Sequence, residues 1–187
     1  MKTTKIKSGI LAVLAVLTLS FSADAANKKP INTEKSTIAW VGKKVTGQHN
    51  GTINFKSGSV DLKAGKLVGG SFVVDMTTIT VKDLEGDYKG KLEGHLNSDD
   101  FFGVTKHPEA TFVITSVEGN SVKGDLTIKG HTEKKAFTLT KKGNTISGDI
   151  KIDRTKFDIR YGSKSFFDNL KDKAIDDEFE LSVNIVF

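Results

Sequence analysis

Four histidines, two arginines and two pairs of adjacent aspartates are the residues of this chain whose types suit chemistry. His49, His95, His107 and His131 form no His-x-Glu, His-Glu-x-x-His or His-x-His pattern. His95 and Asp99 stand four residues apart and can approach one another, but a single pair does not make a metal site. His107-Pro108 reads as a turn. Asp99-Asp100 and Asp176-Asp177 fall in loop-like stretches, where turn formation and solvation explain them better than general acid–base work. There is no Gly-x-Ser-x-Gly elbow and no phosphate-cradling glycine loop followed by Lys-Ser/Thr. With no cysteine, disulfides, thiol catalysis and zinc–thiolate sites fall away together. No catalytic constellation emerges, so the chain reads as a non-enzyme without a cofactor or metal.

Arg154 and Arg160 are the only arginines; every other fixed cation is a lysine. Arg154 follows a strand face and precedes Phe157, which suits a barrel end. There its fork either pairs with an acid or anchors the polar head of a ligand. A second stretch asks for an explanation. Between His95 and Phe112 the chain is rich in turn formers, yet it carries Phe101 and Phe102 side by side. A surface loop does not hold paired phenylalanines without a reason. Either it folds back to plug a core or it offers an apolar surface to a ligand.

The elements that must position these residues are mostly strands. Ile38 and Trp40 share one face of a first strand, Ile53 and Phe55 of the next, and Phe72, Val74 and Met76 of a third, entered through Gly69-Gly70. Phe112 and Ile114 alternate with Val113 and Thr115. Val122, Gly124, Leu126 and Ile128 alternate with Lys123, Asp125, Thr127 and Lys129. Phe137 and Leu139 follow a charged turn. Ile146, Gly148, Ile150 and Ile152 come after Gly143-Asn144. Last, Phe179, Leu181, Val183, Ile185 and Phe187 share one face. Period-two alternation means one face buried and one wet. About eight such strands predict an all-β, antiparallel sheet, and closing it into a barrel removes its exposed edges. Such a barrel is either filled by its own side chains or holds one small ligand.

Two segments break the pattern. Leu84, Tyr88, Leu92 and Leu96 fall at spacing four, predicting a short helix over about 81–96. Gly86, Gly90 and Gly94 fall at the same spacing roughly opposite, which points to a frayed, mobile helix or to one whose back lies against other backbone. The stretch from Arg160 to Asp177 is long and polar yet contains Phe166-Phe167, and long loops of this kind are usually functional or disordered.

At the N-terminus, Lys2, Lys5 and Lys7 precede an uncharged apolar run from Ile10 to Leu19 and the small-x-small triplet Ala23-Asp24-Ala25. This predicts a secretory signal peptide at 1–25, with cleavage near Ala25, and a periplasmic or secreted product. Residues 26–187 are then one domain, starting with a short polar tail over 26–35. Of the formal charge of +5, Lys2, Lys5 and Lys7 less Asp24 carry +2, leaving +3 on the rest. That surplus is weak and dispersed, a poor match to nucleic acid.

Four linked motifs resemble the YceI-like polyisoprenoid-binding family. They are His95-Leu96 with Asp100-Phe101-Phe102, His107-Pro108-x-Ala110-Thr111-Phe112, Gly124-Asp125-Leu126-Thr127-Ile128-Lys129-Gly130, and Arg154-x-x-Phe157. The order and spacing match over about 33–187. The resemblance implies an extended eight-stranded antiparallel lipocalin-like barrel, a long isoprenoid or quinone-like amphiphile in its interior, and no settled enzymatic activity. Ligand-lining candidates are Trp40, Phe55, Phe72, Leu96, Phe101, Phe102, Phe112, Leu126, Phe137, Phe157, Phe166 and Phe167. Candidate head-group contacts are His95 and Arg154. The chain departs from the family at Lys91, where an arginine is common, and at Asp158, where a glycine is usual.

Three readings follow. The first is an exported lipid carrier that holds its ligand in the barrel and touches a membrane transiently, as a monomer or dimer. The second is a secreted barrel with a filled core and no ligand. The third, a lipid-modifying enzyme, requires a His95–Asp99 or Arg154–acid cluster opening into a cavity.

Overall fold

The computed structural model describes residues 25–187, so the expected signal peptide lies outside the described residues apart from its last position. The strands are β1 (Asn27–Pro30), β2 (Thr37–Lys44), β3 (Gly47–Lys63), β4 (Lys66–Val81), β5 (Glu109–Glu118), β6 (Ser121–Ile128), β7 (His131–Thr138), β8 (Thr140–Lys142), β9 (Thr145–Asp153) and β10 (Ile175–Val186). One helix, α1 (Gly86–Asn97), follows β4, and short 3-10 turns lie at Arg154–Phe157 and Lys171–Lys173. All strand pairs are antiparallel, in the order β7-β6-β5-β4-β3-β2-β10-β9-β8, with β1 added to β3 off that path.

The ends of that order, β7 and β8, are two halves of one run of chain broken only at Leu139. The first half pairs with β6 and the second with β9, so this run joins the two ends of the curled sheet. Counting it once and leaving β1 aside gives the eight strands of a lipocalin-like barrel. Gly148 makes the crossover possible: a Cβ there would stand 2.6 Å from the Thr138 carbonyl oxygen and 2.8 Å from Leu139 Cδ2. The chain can switch partners only where its neighbour has no side chain.

The inward rows run as the alternation predicts. Ile38 and Trp40, Ile53 and Phe55, Val122, Leu126 and Ile128, and Ile146, Ile150 and Ile152 are all buried. Strand glycines make room for the larger rings. A Cβ on Gly124 would lie 2.7 Å from the ring of Phe112, and one on Gly51 would lie 2.6 Å from the ring of Trp40.

Several elements differ from expectation. The residues read as a polar tail include β1, which pairs with Ser59–Leu62 of β3. β3 runs 17 residues and its partner β2 only 8, so the far half of β3 has a free edge that β1 covers. The charged residues His131–Lys135, read as a turn, belong to β7. The turn is Lys129-Gly130 alone, both with positive φ (49° and 77°), as a two-residue hairpin of this hand requires. α1 begins at Gly86 rather than near 81, because Val81 still pairs with Gly51 and is fully buried. Asp176 and Asp177 lie on the irregular start of β10 and not in a loop.

β4 bulges where the helix must sit. Asn54 pairs with Asp75 and Thr52 with Thr80, leaving Met76–Ile79 looped out. The Thr78 hydroxyl takes the place of a backbone acceptor for Asn54 N–H (2.9 Å), and Met76 N–H donates to the Pro108 carbonyl (2.9 Å). Met76 and Ile79 are buried and line the interior together with Leu96, Phe101 and Phe102.

Candidate ligand-binding cavity

The barrel interior is not filled. An apolar cavity of about 180 Å³ runs through it, lined by inward side chains of eight of the strands and by the 96–102 segment. Apolar cavities of about 150 Å³ stay dry and take up apolar molecules. Trp40, Phe55, Phe72, Phe112, Leu126 and Phe137 line the wall. Leu96, Phe101 and Phe102 line the end that α1 and the following loop cover.

That loop both plugs the core and faces the cavity. Backbone bonds fold it tightly: Phe101 N–H donates to the Ser98 carbonyl (3.0 Å), Phe102 N–H to Leu96 (3.1 Å) and Val104 N–H to Asn97 (3.0 Å). Phe101 and Phe102 meet edge to face at 5.0 Å between centroids, and Phe102 meets Phe179 of β10 the same way at 6.3 Å. Both rings are buried. α1 contributes little of its own: Leu96 is its one buried residue, and Leu92, with Leu84 just before the helix, packs partly against the core. Gly90 and Gly94 face open space, with nothing within 4 Å of a built Cβ, so no close backbone approach requires them.

Arg154 lies in the same wall with its side chain almost wholly buried. Its Nε–H donates to the Asp176 carbonyl (2.9 Å), and its terminal nitrogens donate to the carbonyls of Ile159 (2.8 Å) and Ile175 (3.1 Å). One terminal nitrogen stands 3.6 Å from Asp177 Oδ1. Burial lowers the Arg154 pKa from its ordinary value, while Asp177, Asp153 and Asp176 oppose the shift. Burial pushes the Asp177 carboxyl up, but the hydroxyls of Ser163 and Ser165 and the Arg154 guanidinium outweigh it and hold the carboxyl below its usual range. The guanidinium fork therefore ties the 3-10 turn to the start of β10.

The other candidates lie off the cavity wall. Phe157 is fully buried, with Lys135 Nζ 5.7 Å from its ring centroid, and is not part of the lining. The 3-10 turn after β9 breaks the strand alternation and turns this side chain elsewhere. Phe166 and Phe167 are about half exposed, and Arg160 covers Phe166 at 4.7 Å. His95 packs edge-on between Phe101 (5.5 Å) and Tyr161 (4.4 Å) and does not line the cavity. Asp99 pairs with Lys106 at 2.6 Å instead of His95. His49 pairs with Asp83 at 2.8 Å, a contact between β3 and the bend before α1 with no sequence signal. Lys91 Nζ sits 5.7 Å over the exposed Tyr88 ring, away from the cavity. Among the described residues no group of three or more His, Asp or Glu could hold a metal ion.

Lining residues that sequence alternation did not single out include Gly42, Ile79, Ala110, Thr111, Ile175, Asp176 and Glu178. Asp176 and Glu178 are exposed, so the cavity reaches solvent at the β10 irregularity beside Gly42. Five residues of β10 (Ile175 to Phe179) stand against only three of β2 (Lys44 to Gly42) there, an irregularity in the pairing.

An antiparallel barrel of eight strands around an apolar cavity defines a lipocalin-like barrel. The model of the YceI-like domain matches residues 30–187, and the chain belongs to that family. Among solved structures it is similar to BcnA of Burkholderia cenocepacia, 23% identical with a TM-score of 0.66, over 84% of this chain and 99% of that one. It is also similar to a polyisoprenoid-binding domain from Saccharophagus degradans implicated in plant cell wall breakdown, at 13% identity and a TM-score of 0.57 over 83% and 95% of the two chains. At these identities the likeness is one of fold. A UPF0312 protein of Staphylococcus epidermidis is 45% identical over 47 residues, 25% of this chain and 28% of the relative's length. One from Staphylococcus aureus is 47% identical over the same share.

Proposed function

We propose that this protein is an exported, non-catalytic carrier that holds a long-chain polyisoprenoid or similar amphiphile in its barrel, in the periplasm or outside the cell. The observation that carries the reading is the apolar cavity, open at the β10 irregularity and lined by phenylalanines. Burying a methylene group yields about 0.8 kcal/mol, so several isoprene units supply ample gross driving force before ordering costs. Family membership and a fold neighbour described as a polyisoprenoid-binding domain point the same way. A long chain needs the walls to give, and α1, with one buried residue, is the wall that gives most readily.

The test is native mass spectrometry of the protein purified gently from its own compartment, followed by solvent extraction. A discrete added mass that extracts as an isoprenoid is expected. A clean unliganded mass, with no uptake from a mixed lipid panel, would move the assignment to a barrel that acts without a lipid.

A further inference from the structure

One polar group in the cavity wall has no partner. Trp40 lines the cavity and is 8% exposed. Its indole Nε1 is buried and makes no hydrogen bond. A buried tryptophan N–H ordinarily finds an acceptor, because leaving it unpaired forfeits the bond it made to water. The side chains beside it offer none. Ile38 and Gly42 are the next inward positions of β2 on either side, Gly51 faces Trp40 on β3, and Leu181 faces it on β10. The backbone of these strands belongs to the antiparallel ladders.

The position of this donor suits the head of an amphiphile. Gly42 lines the mouth, and Trp40 is the next inward residue of β2, about 7 Å deeper at the rise of a strand. A ligand whose tail fills the interior leaves its head near this depth. The charged residues of the lining are Arg154, Asp176 and Glu178. The Arg154 N–H groups are taken by three backbone carbonyls, and Asp176 and Glu178 are exposed carboxylates at the mouth. An anionic head would meet two like charges there and no free cationic donor of the lining. A neutral oxygen would accept from Trp40 Nε1–H without that repulsion. The other neutral polar side chain of the lining, Thr111, leaves no buried atom unpaired.

We propose that Trp40 Nε1–H donates to a neutral oxygen of the bound lipid, a hydroxyl or a carbonyl. The ligand of this barrel is then a chain with an uncharged, oxygen-bearing head, neither a bare hydrocarbon nor a phosphate ester. The proposal rests on the carrier reading. Trp40 is the only tryptophan of the chain, so a nitrogen–proton correlation spectrum holds a single indole N–H peak. The probes are geranylgeraniol, geranylgeranyl phosphate and phytane, which share a branched chain and differ at its head, each added from detergent micelles. The indole peak is expected to move downfield when geranylgeraniol binds, and not when phytane binds. Trp40→Phe should lower the affinity for geranylgeraniol about fivefold more than the affinity for phytane, the size of one net hydrogen bond. The peak is read in the wild type, so it decides even where the variant does not fold. Bound geranylgeraniol with the indole peak unmoved, or an equal loss of both ligands in the variant, would overturn the hydrogen bond. Tighter binding of geranylgeranyl phosphate than of geranylgeraniol would overturn the uncharged head. Each of these results leaves the carrier standing. Uptake of none of the three probes would remove the carrier reading and this proposal with it.

Discussion

The guanidinium carbon of Arg154 lies 5.7 Å over the ring of Phe101, while its N–H groups reach past the ring to backbone carbonyls of Ile159, Ile175 and Asp176. A cation in an apolar wall thus faces the plug without offering its fork to the cavity. Its three bonds hold the 3-10 turn and the start of β10 together, and the mouth opens beside them.

This makes Arg154 a structural post. Arg154→Lys keeps the charge but cannot reach three carbonyls in one plane. Loss of a buried charged group's partners costs about 3–5 kcal/mol. The lysine variant is therefore expected to lose most of that in denaturant unfolding, with lipid content falling only as the fold does. Near wild-type stability with lost lipid would instead assign Arg154 to the head group.

Gly42 offers a cleaner probe of the cavity. It lines the mouth, and a Cβ there would meet nothing within 4 Å. Gly42→Leu should place its side chain in the opening without a clash. Replacing a strand glycine is worth up to about 1 kcal/mol, so thermal stability should hold or rise. Lipid uptake should fall severalfold, as measured by the mass of bound ligand. Undiminished uptake would mean that the ligand enters or lies elsewhere.

Gly90 and Gly94 lie inside α1 at positions without a positive φ and without a close neighbour. Each glycine costs a helix about 1 kcal/mol relative to alanine. Gly90→Ala with Gly94→Ala should therefore slow amide exchange in α1. If α1 is the wall that yields, lipid uptake and release should slow with it, the usual exchange of motion for stability. Faster exchange in α1 would refute the helix argument, and unchanged lipid kinetics would remove α1 from the entry route.

Asp158 has φ 56° and ψ 33°, the left-handed region, at the position where the family resemblance expects glycine. Side chains there cost about 1–2 kcal/mol. Its ion pair with Arg160 at 2.8 Å is half exposed and returns little of that. Asp158→Gly is expected to raise the midpoint of chemical unfolding by the equivalent of about 1 kcal/mol. A lower midpoint would show that the Asp158–Arg160 pair outweighs the strain.

The strands were legible because alternation is local. A strand places Ile38 and Trp40, or Phe179 and Leu181, on one face whatever the rest of the chain does, and one apolar face fixes which side is buried. The same period placed Phe55, Phe72, Phe112, Leu126 and Phe137 on the inner wall. It also indicated a closed sheet of about eight strands, although the partner switch at Leu139 that joins its ends depends on Gly148 in a different strand.

Outside the strands, side-chain direction follows from bonds between residues distant in sequence, and only the folded chain decides it. Phe101 and Phe102 turn inward because the loop closes on Leu96, Asn97 and Ser98 and docks on Phe179. Phe166 and Phe167, an identical pair, stay outside because their loop is fastened at Gly162 and Ser165 to the rim. Composition alone cannot tell the two pairs apart. Likewise the period along the chain says that an interior exists, but its unfilled volume depends on how rings from separate strands meet across it, and that is a property of tertiary packing.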